Sequence, residues 1–181
     1  AQGKEIPHDF PWDYPSGNIF EKMLSGNYIS TTSLVMTRKE VFEKSGYFDE
    51  HPDMRCSQDS NLWVRIAHDY KIGYIAEALV KYRYHTGGTS RSAIKTYRGK
   101  IYSQKKILEM YGKEKNIYAE KIRGRMEEFY KSYAYTFWKQ KNYPMCRDAL
   151  DGLMEIGSLS KKEFIYYYLS HVPLIANIVN R

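Results

Sequence analysis

The sequence predicts a helix-rich α+β chain, and three observations predict it. Short β-branched and aromatic runs lie in the first half, a helical apolar period takes over from Ala93, and Gly and Pro punctuate the boundaries. The composition, 43% hydrophobic and 27% charged over 181 residues, is that of a globular chain long enough for one modest core or two small ones. No apolar run reaches the length of a membrane span; the best, residues 172–179, is short and holds Pro173 and Asn177. Cys56 and Cys146 are far apart and lack metal-ligand spacing, which suits the reducing cytoplasm.

Pro7, Pro11 and Pro15, set among Phe10, Trp12 and Tyr14 without any period, predict an extended start that lies on a neighbouring surface. Residues 19–24 suit a short helix stopped by Gly26, and residues 33–37 read as a buried strand. A helix over 39–45 should end at Gly46, a residue suited to the left-handed cap position. Leu62, Ile66 and Tyr70 recur every four residues with Trp63 and Ala67 beside them, so a helix should begin near Ser57 or Asp59 and close at Gly73. Two short strands, 74–76 and 79–85, precede the Gly- and Ser-rich loop 86–92, a candidate lid or clamp.

Beyond Ala93 the pattern is helical throughout. Ile122, Met126, Phe129, Tyr133 and Phe137 form one apolar stripe. Cys146, Ala149, Leu150, Leu153 and Met154 form another after Asn142-Tyr143-Pro144. The short connection implies an antiparallel pair similar to one tetratricopeptide-type hairpin. Most of the 18 tyrosines fall at helical spacing, where packing explains them better than base or sugar stacking does.

The net charge of +7 is unevenly placed: residues 92–147 hold 14 Lys and Arg against 5 Glu and no Asp, leaving the remainder about balanced. Such a face either is simply solvated or attracts an anionic membrane surface. No nucleic-acid-binding motif accompanies it, so nucleic acid is not an expected partner.

Asn27-Tyr28-Ile29, Ser33 to Thr37, Gly46-Tyr47-Phe48-Asp49-Glu50, Gln58-Asp59-Ser60-Asn61-Leu62-Trp63, Arg65, Gly73 to Glu77 and Tyr82-Arg83-Tyr84-His85 follow one another in an order that resembles the carboxyl half of the catalytic domain of family 2 glycosyltransferases. The resemblance implies that residues 1–92 are the C-terminal part of a GT-A catalytic domain, the acceptor side, and that 93–181 are a helical extension. It further implies a preceding nucleotide-binding half with an Asp-x-Asp motif, neither of which is found here. A divalent metal, Mg or Mn, would have its main ligands in that half.

By this resemblance Asp59 is the catalytic base. A carboxylate cannot ionise a sugar alcohol beforehand, so proton removal must accompany attack, and placement matters more than basicity. The alternative is that Asp59 or Ser57 only caps a helix, a role worth about 1 kcal/mol. The family usually carries Glu-Asp where this chain has Gln58-Asp59. Arg83 and His85, two apart in a strand, would share one face, and in the family this stretch approaches the donor diphosphate. Arg91 would assist, and His85 would touch the metal. A solvent-facing edge strand is the plainer account of Arg83 and His85. Ser33, Trp63 and Arg65 are acceptor-side candidates, although Trp63 also suits core packing and Arg65 a helical pair with Asp69.

The functional expectation is an inverting transfer of sugar from a nucleotide-diphosphate donor to a glycan or lipid-linked acceptor, in bacterial surface polysaccharide assembly at the inner face of the membrane. The alternative is a non-catalytic basic helical module that docks on membrane or a partner protein.

Overall fold

The computed structural model describes residues 14–81 and 92–173, with 176 and 178. Its helices are α1 (Phe20–Ser25), α2 (Lys39–Ser45), α3 (Gln58–Asp69), α4 (Ala93–Tyr111), α5 (Asn116–Lys139), α6 (Tyr143–Ile156) and α7 (Lys161–Ser170). Two 3₁₀ turns, Thr32–Leu34 and Pro52–Met54, separate the first three.

The α+β expectation, and with it the short-stranded GT-A fragment, is corrected. Among the described residues there is no sheet, and the only strand pairing is an isolated antiparallel bridge in which Gly17 and Ile72 exchange N–H···O bonds of 2.8 and 3.0 Å. The run 33–37 is not a buried strand. Thr31 caps a 3₁₀ turn there, and Leu34 and Met36 face solvent, Met36 at 99% exposure. Residues 74–76 and 79–81 belong to no strand or ladder, while the rest of the second expected strand and the loop 86–91 lie outside the described residues. The reason is elementary: β propensity only describes fitness for a pleated surface, and a strand needs a partner to receive its N–H and C=O groups.

The expected helices form, with two corrections: α3 ends at Asp69 with its cap at Tyr70, short of the expected stop at Gly73, and Met154 of the second stripe is exposed. Thr32–Leu34 aside, the first half contributes α1, α2 and α3 at the positions read from the period, and Gly46 ends α2 with φ +80°. In α5 the residues Tyr118, Ile122, Met126, Tyr130, Ala134 and Phe137 are buried at four- and three-residue intervals. They meet Cys146, Ala149, Leu150 and Leu153 of α6, each fully buried, across the connection capped by Asn142, whose Oδ1 accepts the Met145 N–H. Phe129 and Tyr133, read as part of the stripe, sit at its half-buried margin instead. Tyr130 closes on Gly152, where an added Cβ would stand 2.3 Å from the ring.

One continuous apolar cluster joins α1 and α3 to α4, α5 and α6. Phe20 of α1 is its hinge pin, meeting Tyr111, Tyr118 and His68 edge to face at centroid separations of 5.1, 5.2 and 4.8 Å. His68 also bridges Asp69 at 2.7 Å and Glu114 at 3.2 Å. Burial pushes its pKa down, and the Asp69 and Glu114 carboxylates outweigh that and raise it.

α4 crosses the loop between Pro52–Met54 and α3 at Gly99, where an added Cβ would lie 2.0 Å from the Arg55 carbonyl oxygen. No side chain fits. Gly124, on the exposed side of α5, has nothing within 4 Å of its Cβ direction. Gly99→Ala should therefore destabilise by about 1–3 kcal/mol through forced backbone separation. Gly124→Ala should stabilise by about 0.5–1 kcal/mol through helix propensity alone. Urea unfolding of both variants checks the pair, and equal shifts for the two would refute this account of Gly99.

Candidate functional site

The close approach at Gly99 shapes a cleft of about 170 Å³. Its walls are the end of α1 with the following turn, the first turn of α3, and the facing sides of α4 and α5. Cys56 enters it with φ +68°, a left-handed conformation that few residues other than glycine adopt, and this bend turns the chain into α3. Ser57 follows at the N-cap position of α3 and is only 1% exposed, yet its Oγ accepts nothing from the helix and has no hydrogen-bond partner among the described residues. The Oε1 of Gln104, across on α4, is likewise buried and unpartnered.

Asp59 lines this cleft, half-buried in the first turn of α3. It accepts the N–H of its neighbour Ser60 at 2.8 Å, while Ser60 Oγ donates to the Ser57 carbonyl at 3.0 Å. Asp59 thus does not cap the helix in the usual manner, by accepting from two or three residues further on; its second oxygen has no bond among those described.

Two cations from the extension reach the cleft. Lys100 Nζ lies 4.8 Å from the centroid of Phe129 and 5.6 Å from that of Tyr133, and the Arg125 guanidinium lies 4.5 Å from Phe129. Burial pushes Lys100 below its ordinary pKa, and the nearby Arg125 adds to the effect. Arg125 also pairs with the exposed Glu128, whereas no carboxylate bonds Lys100 among the described residues. The site is therefore one carboxylate, two cations, a ring that both cations approach, and several hydroxyls. This donor set does not fit a divalent metal, and no group of three or more His, Cys, Asp or Glu among the described residues could hold one.

The other expected site residues are dispersed. Trp63 is 3% exposed in the core, its Nε1 unpartnered, with Phe48 edge-on at 6.1 Å. Ser33 is exposed on its 3₁₀ turn, away from the residues that line the cleft. Arg83, His85 and Arg91 lie outside the described residues. Arg65 does not pair with Asp69. Its Nη1 and Nη2 donate to the carbonyls of Ser45 and Tyr47, and its Nε donates to Asn61 Oδ1 at 3.2 Å. Asn61 Nδ2 in turn donates to the buried Ser103 Oγ of α4 at 3.4 Å. The chain Arg65, Asn61, Ser103 ties the 46–50 turn, α3 and α4 together.

Sequence reading missed Lys100, Arg125 and Ser57. The surplus of positive charge over 92–147 was the visible signal for the first two, but a charge sum carries no direction. A second bond ties the same turn to α4, Lys106 to Asp49, and this hydrogen bond with that from the His51 N–H holds the Asp49 carboxyl below its ordinary pKa.

Arg65→Lys should lower stability by about 1–3 kcal/mol, because an ammonium cannot span two carbonyls and an amide oxygen at once. The backbone around Asp59 should keep its arrangement. Chemical denaturation with amide chemical shifts checks this; an unchanged midpoint would mean that the guanidinium is not what fixes the turn. No protein-family model, no curated protein and no solved structure matches this chain, so what the cleft can do rests on its own residues.

Proposed function

We propose that the chain is the acceptor-side portion of an inverting glycosyltransferase, one that moves a sugar from a nucleotide-diphosphate donor to a glycan or lipid-linked acceptor in bacterial surface polysaccharide assembly. The observation that supports this reading is the cleft itself. Asp59, the base by resemblance, stands in a concave polar site with an oxygen directed at no protein donor and with cations alongside. An acceptor hydroxyl bound there would lose its proton to Asp59 as its oxygen attacks the anomeric carbon, so the carboxylate acts by position. Replacement of the family's usual Glu by Gln58 leaves that carboxylate in place. Apolar residues at the surface, among them Leu34, Met36, Ile75 and Leu79, fit a portion covered in the intact protein by a nucleotide-binding part outside these residues. Donor contacts from Arg83, His85 and Arg91, and any Mg or Mn, would belong with that part.

In the intact enzyme Asp59→Asn should lower kcat by a factor on the order of 100 to 10,000, with donor affinity nearly unaltered, because the amide keeps the carboxylate's size. The 181 residues alone should not transfer sugar. Steady-state kinetics with a radiolabelled donor checks both, and near-normal kcat in the variant would remove Asp59 from the role of base.

A second reading is favoured by one surface. On α7, Phe164, Ile165 and Tyr168 are each more than half exposed, and Lys161 and Lys162 precede them. No helix among the described residues is long and apolar enough to cross a membrane. Aromatic residues beside lysines suit the headgroup region of an anionic bilayer. Liposome flotation should then recover the chain with anionic but not neutral vesicles, and added salt should release it. Equal recovery from both lipids would exclude the membrane reading.

A further inference from the structure

The cleft holds more positive character than a neutral sugar requires. Lys100 and Arg125 both approach the Phe129 ring, and burial first and the Arg125 charge second disfavour the charged form of Lys100, a cost that a bound anion would offset. Arg125 has the exposed Glu128 as a partner, but that carboxylate lies outside the residues that line the cleft. Lys100 is half-buried in the wall of the cleft, and no carboxylate bonds it among the described residues. An ammonium and a guanidinium on one wall make up the chemistry that recognises a phosphate.

Asp59 argues about which phosphate. A nucleoside diphosphate would bring several negative charges against an unmasked carboxylate, whereas an acceptor can offer that carboxylate a hydroxyl. The volume, about 170 Å³, is below the roughly 300–1,000 Å³ of sites for drug-sized ligands, so one monosaccharide with a single substituent is the fitting size. We propose that this cleft binds a phosphorylated sugar acceptor, its phosphate held by Lys100 and Arg125 and its nucleophilic hydroxyl directed to Asp59. The assignment of the hydroxyl rests on the glycosyltransferase reading; the phosphate site does not.

The test uses the 181-residue chain, with glucose 1-phosphate, glucose, inorganic phosphate and uridine diphosphate as probes in calorimetric titrations at one salt concentration. Glucose 1-phosphate should bind saturably and displace the amide signals of Ser57, Ser60 and Ser103, and glucose should bind at least about tenfold more weakly. Lys100→Gln and Arg125→Gln should each weaken glucose 1-phosphate by about tenfold, with circular dichroism unchanged. Asp59→Asn should strengthen inorganic phosphate by a few-fold, since a repelling charge is removed. Equal binding of glucose and glucose 1-phosphate, or variants that bind like wild type, overturns the proposal. Uridine diphosphate binding more tightly than glucose 1-phosphate overturns it in favour of a donor site. The two readings fail separately: a phosphate site that behaves as stated with an Asp59→Asn parent enzyme of normal turnover refutes only the transferase, and the reverse pattern refutes only the phosphate site.

Discussion

The distance between the backbone of α4 and the loop 55–57 governs this molecule more than any other single separation. Residue 99 must lack a side chain, because the Arg55 carbonyl occupies the place where a Cβ would go. With α4 so close, Ser57 is sealed, Cys56 is bent into the left-handed region, and α3 starts where its first turn faces α4 and α5. The Asn61 to Ser103 hydrogen bond then locks the two helices in register along their contact. Strain at Cys56 and an unpartnered hydroxyl at Ser57, each costing on the order of 1–3 kcal/mol, are carried by the apolar cluster that surrounds them. Such costs concentrate where a ligand meets the protein.

The electrostatics of the cleft follow from which helix supplies which charge. Among the described residues the one carboxylate in the lining comes from α3, whereas both cations come from the extension, Lys100 on α4 and Arg125 on α5. Phe129 lets those cations sit close to a hydrophobic wall, since a ring face attracts positive charge. Neither segment has the full set by itself. That the apolar cluster runs unbroken from α1 to α6 explains how Asp59 keeps a fixed relation to Lys100 and Arg125, 41 and 66 residues further along: the helices that carry them share one packed interior.

Two further ties attach the 46–50 turn to this frame. Arg65 bonds the carbonyls of Ser45 and Tyr47, and Lys106 bonds Asp49. A guanidinium at this position also explains why Gly46 has no side chain, since a Cβ would stand 2.7 Å from Nη1. The motif residues around Asp49 therefore act by holding the loop that leads to α3, at one remove from the cleft.

Local periodicity determined most of the helices from the sequence alone. The recurrence of Leu62 and Ile66, and of Ile122, Met126 and Phe137, is visible without coordinates because a helix satisfies its own backbone and needs only one apolar face to be placed. The Asn142 to Pro144 connection was legible in the same way, whereas Asp59 was followed from the family resemblance and not from any period. Strands were not, because a run such as 33–37 becomes a strand only when another segment receives its hydrogen bonds, and among the described residues none does. Tertiary packing alone decided that Arg65 turns to carbonyls rather than to Asp69, and that Trp63 serves the core. It also decided that Lys100 and Arg125 come to the side of Asp59 from far along the chain. Those relations depend on the angle and distance between helices, which are set by what fits at Gly99 and Gly152, and no pattern within a single helix encodes them.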